Sequence, residues 1–108
     1  LLHSRILKNK IIVGYGAPAK ATTLLSFYEI PENIIKIIVD DSRIKENYYM
    51  PGYNIQIKKF NFLKQLNFDY VIIFAWNFSK IIIKKLKTIK NKKFKIILLF
   101  PVLKIISI

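Results

Sequence analysis

Short apolar runs rich in β-branched residues are the feature that most constrains how this chain of 108 residues folds. Four such runs are predicted as strands, namely Lys10–Val13, Ile34–Val39, Tyr70–Phe74 and Phe94–Phe100. The first stops at a glycine, the second at an aspartate and the fourth at a proline, as expected where a strand enters a loop. Because these strands are apolar on both faces, they predict an α/β domain whose mainly parallel sheet is covered on each side by helices.

Helical segments alternate with these strands. One helix is predicted from Ala19 until Pro31 ends it, and a shorter one is predicted from Phe60 to Leu66. A third follows Asn77, which is predicted to cap it, and Ile55–Ile57 is a candidate for one more short strand. The apolar positions that share one face are Ala21, Leu24, Leu25 and Tyr28 in the first helix, and Phe78, Ile82, Leu86 and Ile89 in the third.

Length and composition exclude several classes of protein. The chain allows one domain, and its longest apolar run, Ile96 to Leu103, has roughly eight residues where a membrane span needs about 20. With no Cys and His3 alone, disulfides and a structural zinc site are excluded. The first residues show no signal-peptide pattern and no initiator Met, so we expect a cytoplasmic piece of a longer protein.

The charge is strongly positive, with 19 Lys and Arg against 6 Asp and Glu and a net charge of +13. Such a balance suggests a nucleic-acid partner. However, the 22 Ile, 17 Lys and 8 Asn all have A/T-rich codons, so a biased genome explains the composition equally. Arg, the residue best suited to bidentate phosphate or base recognition, occurs twice. Nucleic-acid binding is therefore kept as an alternative only.

A glycine motif follows the first strand. The spacing Gly14-x-Gly16-x-x-Ala19 fits the fingerprint of dinucleotide-binding turns, with Tyr15 and Ala17 between the fixed positions. In such a turn the first glycine permits a tight bend, the second lets the backbone approach a phosphate, and the small third residue lets the helix pack on the strand. The alternative is a merely structural turn, since any strand–helix connection of this kind needs small residues.

Other candidate residues follow the carboxyl ends of strands, where open parallel sheets bind ligands. Asp40 lies 21 positions after the last small residue of the motif and is suited to accept a hydrogen bond from a ribose or sugar hydroxyl. Lys20 and Lys45 are candidates for neutralising a phosphate, and Trp76 and Asn77 for contacting a base or sugar. Their alternatives are solvated lysines, a core tryptophan and a helix cap. No nucleophile–base pair or paired carboxylate is evident, so no catalytic residue is predicted.

Four ordered blocks of the sequence carry a resemblance to a known family. They are Gly14-Tyr15-Gly16-Ala17-Pro18-Ala19-Lys20 with Thr23-Leu24-Leu25; Val39-Asp40 with Lys45, Pro51-Gly52 and Ile55; Asp69-Tyr70-Val71-Ile72 with Ala75-Trp76-Asn77-Phe78; and Lys93-Phe94 through Pro101. Over residues 10 to 102 they resemble the C-terminal domain of SAM-dependent C-methyltransferases that act on nucleotide-activated deoxysugars.

The resemblance implies a Rossmann-like three-layer domain that binds substrate but is not catalytic alone. It implies a nucleotide-activated sugar and an upstream SAM-binding domain of the same chain as partners, with SAM and zinc held upstream and no cofactor in this domain. The substrate-binding residues it implies are Gly14, Tyr15, Gly16, Ala17, Lys20, Asp40, Lys45, Trp76 and Asn77. A stand-alone nucleotide-binding module and a basic nucleic-acid-binding domain remain as alternatives.

Overall fold

The structure, a computed structural model, describes residues 9–16, 18–41, 48–50, 53–90, 92–99 and 103–107. These residues form a six-stranded sheet in the spatial order β3-β2-β1-β4-β5-β6. The strands are β1 (Ile12–Tyr15), β2 (Ile35–Val39), β3 (Gln56–Lys58), β4 (Tyr70–Ile73), β5 (Lys95–Leu98) and β6 (Lys104–Ser107). The pairs from β3 to β5 are parallel and β6 is antiparallel to β5, so the predicted α/β class and mainly parallel sheet are confirmed.

Two α-helices are described, α1 (Pro18–Phe27) and α2 (Ser79–Leu86). Short 3₁₀ turns cover Glu32–Ile34, Phe60–Lys64 and Trp76–Phe78. The predicted helix from Phe60 is thus a 3₁₀ segment. The prediction that Asn77 caps the third helix is wrong, because the capping position belongs to Phe78 and no side chain caps it. Asn77 lies instead in the 3₁₀ turn Trp76–Phe78, which leads directly into α2.

Two strands differ from the sequence prediction. β1 continues two residues beyond Val13, because Gly14 and Tyr15 pair with Ile72 and Ile73 of β4. β6 was not predicted at all. It is an edge strand whose residues are mostly exposed, so it lacks the buried apolar run by which the other strands were found.

Apolar side chains are buried on both faces of the sheet. Successive strand residues point to opposite faces, so Val13 and Ile12 belong to different clusters. On what we call the α2 face, Ile82 and Leu86 cover β1, β2, β4 and β5. On the α1 face, Ala21 and Leu25 cover the sheet together with residues from the loops. No helix among the residues described has the length and apolar character needed to cross a membrane.

The end of α1 is closed by its own backbone. The Ile30 N–H donates to the Leu25 carbonyl at 2.9 Å and the Glu29 N–H donates to the Ser26 carbonyl at 3.2 Å. This pair of bonds is the Schellman motif, which requires a left-handed residue after the helix. Glu29 occupies that position with φ of 54°. The turn seats Ile30 beside Leu25 in the core of the α1 face.

Candidate ligand-binding edge of the sheet

The carboxyl ends of the parallel strands lie along one edge of the sheet, which we call the carboxyl edge. It includes Gly16 after β1, Asp40 and Asp41 after β2, and the segment 75–77 after β4. The structure therefore brings the described candidates that follow β1, β2 and β4 to the same edge. Ala17 and Lys45 lie outside the described residues. Lys20 lies in the first turn of α1, where only its backbone is described.

The strand order reverses at β1 and β4, which are neighbours although β2 and β3 lie between them in sequence. In open α/β sheets this reversal opens the crevice in which ligands bind. Here Gly16 and Ala75 face each other across it. A Cβ on Gly16 would overlap the Cβ of Ala75, and the φ of Gly16 is +95°. Only glycine satisfies both conditions.

Both glycines of the motif are explained by packing. Gly14 lies within β1, and a Cβ there would come within 2.5 Å of the Phe74 ring and 3.1 Å of Ile38 Cγ1. The Gly16 N–H donates to the Val39 carbonyl at 2.7 Å. That amide is therefore already engaged in a backbone hydrogen bond, and Ala75 occupies the space that a Cβ on Gly16 would need. The left-handed bend sits at the second glycine and not at the first.

Asp40 is the one buried charged side chain among the residues that the structure describes, with 8% of its surface exposed. Its N–H donates to the Lys58 carbonyl at 2.9 Å, which extends the pairing of β2 with β3 by one residue. Asp40 directly follows β2 at the carboxyl edge, next to Gly16, whose N–H donates to the carbonyl of the preceding Val39.

The neighbouring Asp41 joins three other elements. Its Oδ2 accepts hydrogen bonds from the Tyr15 hydroxyl at 3.1 Å and from Lys85 Nζ at 2.5 Å, and its Oδ1 accepts from the Phe60 N–H at 2.8 Å. The Lys85 ammonium also lies 4.7 Å from the centre of the Phe60 ring. These contacts tie the ends of β1 and β2 to α2 and to the 3₁₀ turn after β3.

The electrostatics of this cluster fix its protonation states. Burial raises the pKa of Tyr15, and the Asp41 and Asp40 charges raise it further. Burial also tends to raise the pKa of Asp41, but the hydrogen bonds from Lys85 and the Phe60 N–H, with the Lys85 charge, lower that pKa overall. Tyr15 therefore stays protonated and Asp41 ionised around neutral pH. These are the forms that their mutual hydrogen bond requires, with the Tyr15 hydroxyl donating and the Asp41 carboxylate accepting.

Sequence reasoning missed Asp41 as the centre of this cluster. Tyr15, which the sequence analysis proposes as a ligand contact, is 5% exposed, and its side chain packs in the core of the α2 face. Strand alternation was the available signal, because it sends Tyr15 to the same face as Val13. The partners of Asp41, Phe60 and Lys85, are distant in sequence and no local pattern connects them.

The remaining candidates occupy the 3₁₀ turn after β4. Trp76 is half-buried and Asn77 is exposed. The Phe78 N–H closes the turn on the Ala75 carbonyl at 2.9 Å. Among the residues described, His, Asp and Glu form no group of three that could hold a metal ion.

The fold and the candidate site thus define a mainly parallel α/β domain with a buried aspartate and a half-buried tryptophan at its carboxyl edge. The chain belongs to the C-methyltransferase C-terminal domain family, whose model matches residues 1–101. The family resemblance found in the sequence is thus confirmed. The chain is also similar to the C-methyltransferase NovU of Streptomyces niveus, with 27% identity over 107 residues. That match covers 99% of this chain and 26% of the relative, so the chain spans about a quarter of the length of this curated relative.

Proposed function

We propose that this domain binds the substrate of a SAM-dependent C-methyltransferase that acts on a nucleotide-activated sugar, and that it is not catalytic alone. The observation that carries the proposal is the nearly buried Asp40 at the carboxyl edge, close to the crevice between β1 and β4. We infer that this carboxylate accepts hydrogen bonds from sugar hydroxyls, a role supported by its place at the end of β2.

The neighbouring residues supply the other contacts that such a ligand needs. Trp76 offers a flat surface for a sugar ring or a base, and Asn77 offers an amide. Lys20 and Lys45 are proposed to neutralise the diphosphate. The strand order β3-β2-β1-β4-β5-β6 is that of the doubly wound dinucleotide-binding fold, which supports a Rossmann-like three-layer domain.

Catalysis is assigned to other parts of the polypeptide. Methyl transfer to a carbon beside a keto group requires a base for the α-proton and stabilisation of the enolate. We assign neither role to Tyr15 or Asp41, because Tyr15 is buried and donates its hydroxyl hydrogen to Asp41, whose carboxylate oxygens also accept from Lys85 and the Phe60 N–H. The chain has no Cys and one His, so its residues do not fit a structural zinc site. We therefore propose that zinc and SAM are held by domains outside these 108 residues.

Ligand-induced stabilisation of the complete polypeptide tests the binding role. A TDP- or UDP-sugar should raise its melting temperature, and Asp40→Asn should shrink that shift. Asp69→Asn is the matched control, because Asp69 lies at the opposite edge, where it accepts from the Ile11 N–H at 2.8 Å. Lys20→Ala should also shrink the shift, with the exposed Lys36→Ala as its control.

Three results would contradict the proposal. An equal shift in Asp40→Asn would remove that carboxylate from the site. Equal shifts from NAD or from a random oligonucleotide would favour a general nucleotide-binding or nucleic-acid-binding module. Methylation of a nucleotide sugar by the purified 108-residue chain would show that the domain is catalytic by itself. We expect that chain to bind the sugar nucleotide weakly, since it supplies only part of the cleft.

A further inference from the structure

Two large apolar side chains are exposed where α2 begins. Phe78 is 55% exposed and Ile81 is 68% exposed, whereas Ile82 and Leu86 on the same helix are buried against the sheet. Single exposed apolar residues are ordinary, but a pair one turn apart forms a patch that favours contact with another surface. We call Phe78 and Ile81 the apolar patch.

The apolar patch adjoins the candidate ligand-binding edge. Phe78 directly follows Trp76 and Asn77, and it belongs to the same 3₁₀ turn. Ile81 lies four residues before Lys85, so it shares the side of α2 that carries the ion pair with Asp41. A surface that covers the patch would therefore also reach the mouth of the crevice.

We propose that the apolar patch docks the part of the same polypeptide that precedes this domain. The proposal goes beyond the proposed function, because it names a surface for contact with another part of the polypeptide. It is argued from the family, which is that of a C-terminal domain, and from the similar relative, of which this chain covers 26%. About three quarters of such a protein is available to cover the patch.

A patch of two side chains is sufficient for docking when both surfaces belong to one polypeptide. Two surfaces on one polypeptide meet at a high effective concentration, so their contact needs less buried area than an association of separate chains. The exposed Lys80 and Lys84 flank the patch on α2. The complementary surface is therefore apolar at its centre and acidic at its rim.

Phe27 provides a matched control within the same domain. It is 74% exposed at the last position of α1. Because α1 runs from the carboxyl end of β1 to the amino end of β2, that position lies toward the other edge of the sheet. Its ring contacts only the neighbouring Tyr28 among the aromatic pairs described, edge-on at 5.1 Å.

The test compares Phe78→Ala, Ile81→Ala and Phe27→Ala in the 108-residue chain and in the complete polypeptide. In the 108-residue chain all three should leave the melting temperature nearly unchanged, since the side chains are exposed. In the complete polypeptide without ligand, protease cleavage between this domain and the preceding part should accelerate roughly tenfold or more for Phe78→Ala and Ile81→Ala. Phe27→Ala should not accelerate it.

Unchanged cleavage in both patch variants, or equal acceleration by Phe27→Ala, would overturn the proposal. So would a dimer of the 108-residue chain that Phe78→Ala dissociates, because the occupant would then be a second copy. The measurement uses no nucleotide sugar. The cleavage assay tests docking alone, and the melting-temperature shift of Asp40→Asn tests substrate binding alone. Either proposal can therefore fail without the other.

Discussion

The two faces of the sheet are held together in different ways. The α1 face is stabilised mainly by packed apolar side chains, with the Phe74 ring lying over Gly14. It also contains a hydrogen bond from the Tyr28 hydroxyl to the Leu99 carbonyl at 2.5 Å. The α2 face has a similar apolar core but ends at the carboxyl edge in the Asp41 cluster, where Lys85 is the cation. The difference suggests that the α1 face secures the fold, while the α2 face also fixes the geometry of the candidate site.

The largest effect is expected on the α1 face. Phe74 is fully buried, so Phe74→Ala should lower the free energy of unfolding by about 3–5 kcal/mol through lost burial and a cavity. Chemical denaturation of the 108-residue chain measures this. Destabilisation below about 1 kcal/mol would show that the α1 face is loosely packed, and would contradict the view that this face secures the fold.

Gly14 sharpens the same prediction through a double-mutant cycle. Gly14→Ala alone places a methyl group against the Phe74 ring and Ile38 and should cost about 1–3 kcal/mol. Combined with Phe74→Ala, the added methyl group enters the space that the ring has left. The double variant should therefore be more stable than the sum of the two single effects, and strict additivity would contradict this account of Gly14.

On the α2 face, Asp41→Ala should cost about 1–3 kcal/mol, because the Tyr15 hydroxyl and the Phe60 N–H lose their acceptor. Asp41→Asn is the matched control, since it removes the charge but keeps one of the two oxygen acceptors, which can still accept from the Phe60 N–H. The Asp41 and Lys85 side chains are 34% and 44% exposed, so the charge itself should contribute less than about 1 kcal/mol. Asp41→Ala should therefore lower the free energy of unfolding more than Asp41→Asn does.

The charge contribution has a defined dependence on pH. The pKa of Asp41 is lower in the folded state, so its ionised form stabilises the fold above the ordinary carboxyl pKa of about 3.9. That stability is lost as pH falls through the lower folded pKa. Free energies of unfolding measured between about pH 7 and pH 2 should decline more steeply in the natural chain than in Asp41→Asn. Parallel declines would remove Asp41 as a source of acid sensitivity.

The contrast between the faces also explains what the sequence could predict. Buried runs such as Ile35–Val39 signal themselves by composition, so the parallel core and the strand ends that line the edge were predictable. The Asp41 cluster was not, because Phe60 and Lys85 reach it only through the tertiary fold. The spacing of the glycine motif was visible in the sequence, but the packing of the Phe74 ring against Gly14 was not, because Phe74 reaches Gly14 only through the pairing of β1 with β4.

A smaller effect is expected for the hydroxyl of Tyr28. Tyr28→Phe keeps the ring in the core of the α1 face and leaves the Leu99 carbonyl without this donor. Net loss of one part-buried hydrogen bond should cost about 1 kcal/mol. Thermal or chemical unfolding of the 108-residue chain reports the loss. No change would indicate that water replaces the hydroxyl, and that packing alone stabilises this region.

The smallest effect should be a gain in stability. Glu29 holds a left-handed conformation with φ of 54°, which costs an L-residue more than it costs glycine. Glycine also loses more freedom on folding, so the net gain for Glu29→Gly should be about 0.5–1 kcal/mol. Ser26→Gly is the matched control, because Ser26 lies inside α1, where glycine should destabilise by about 0.5 kcal/mol. If both substitutions destabilise equally, the Schellman turn does not limit the stability of the α1 face, and that face depends on side-chain packing alone.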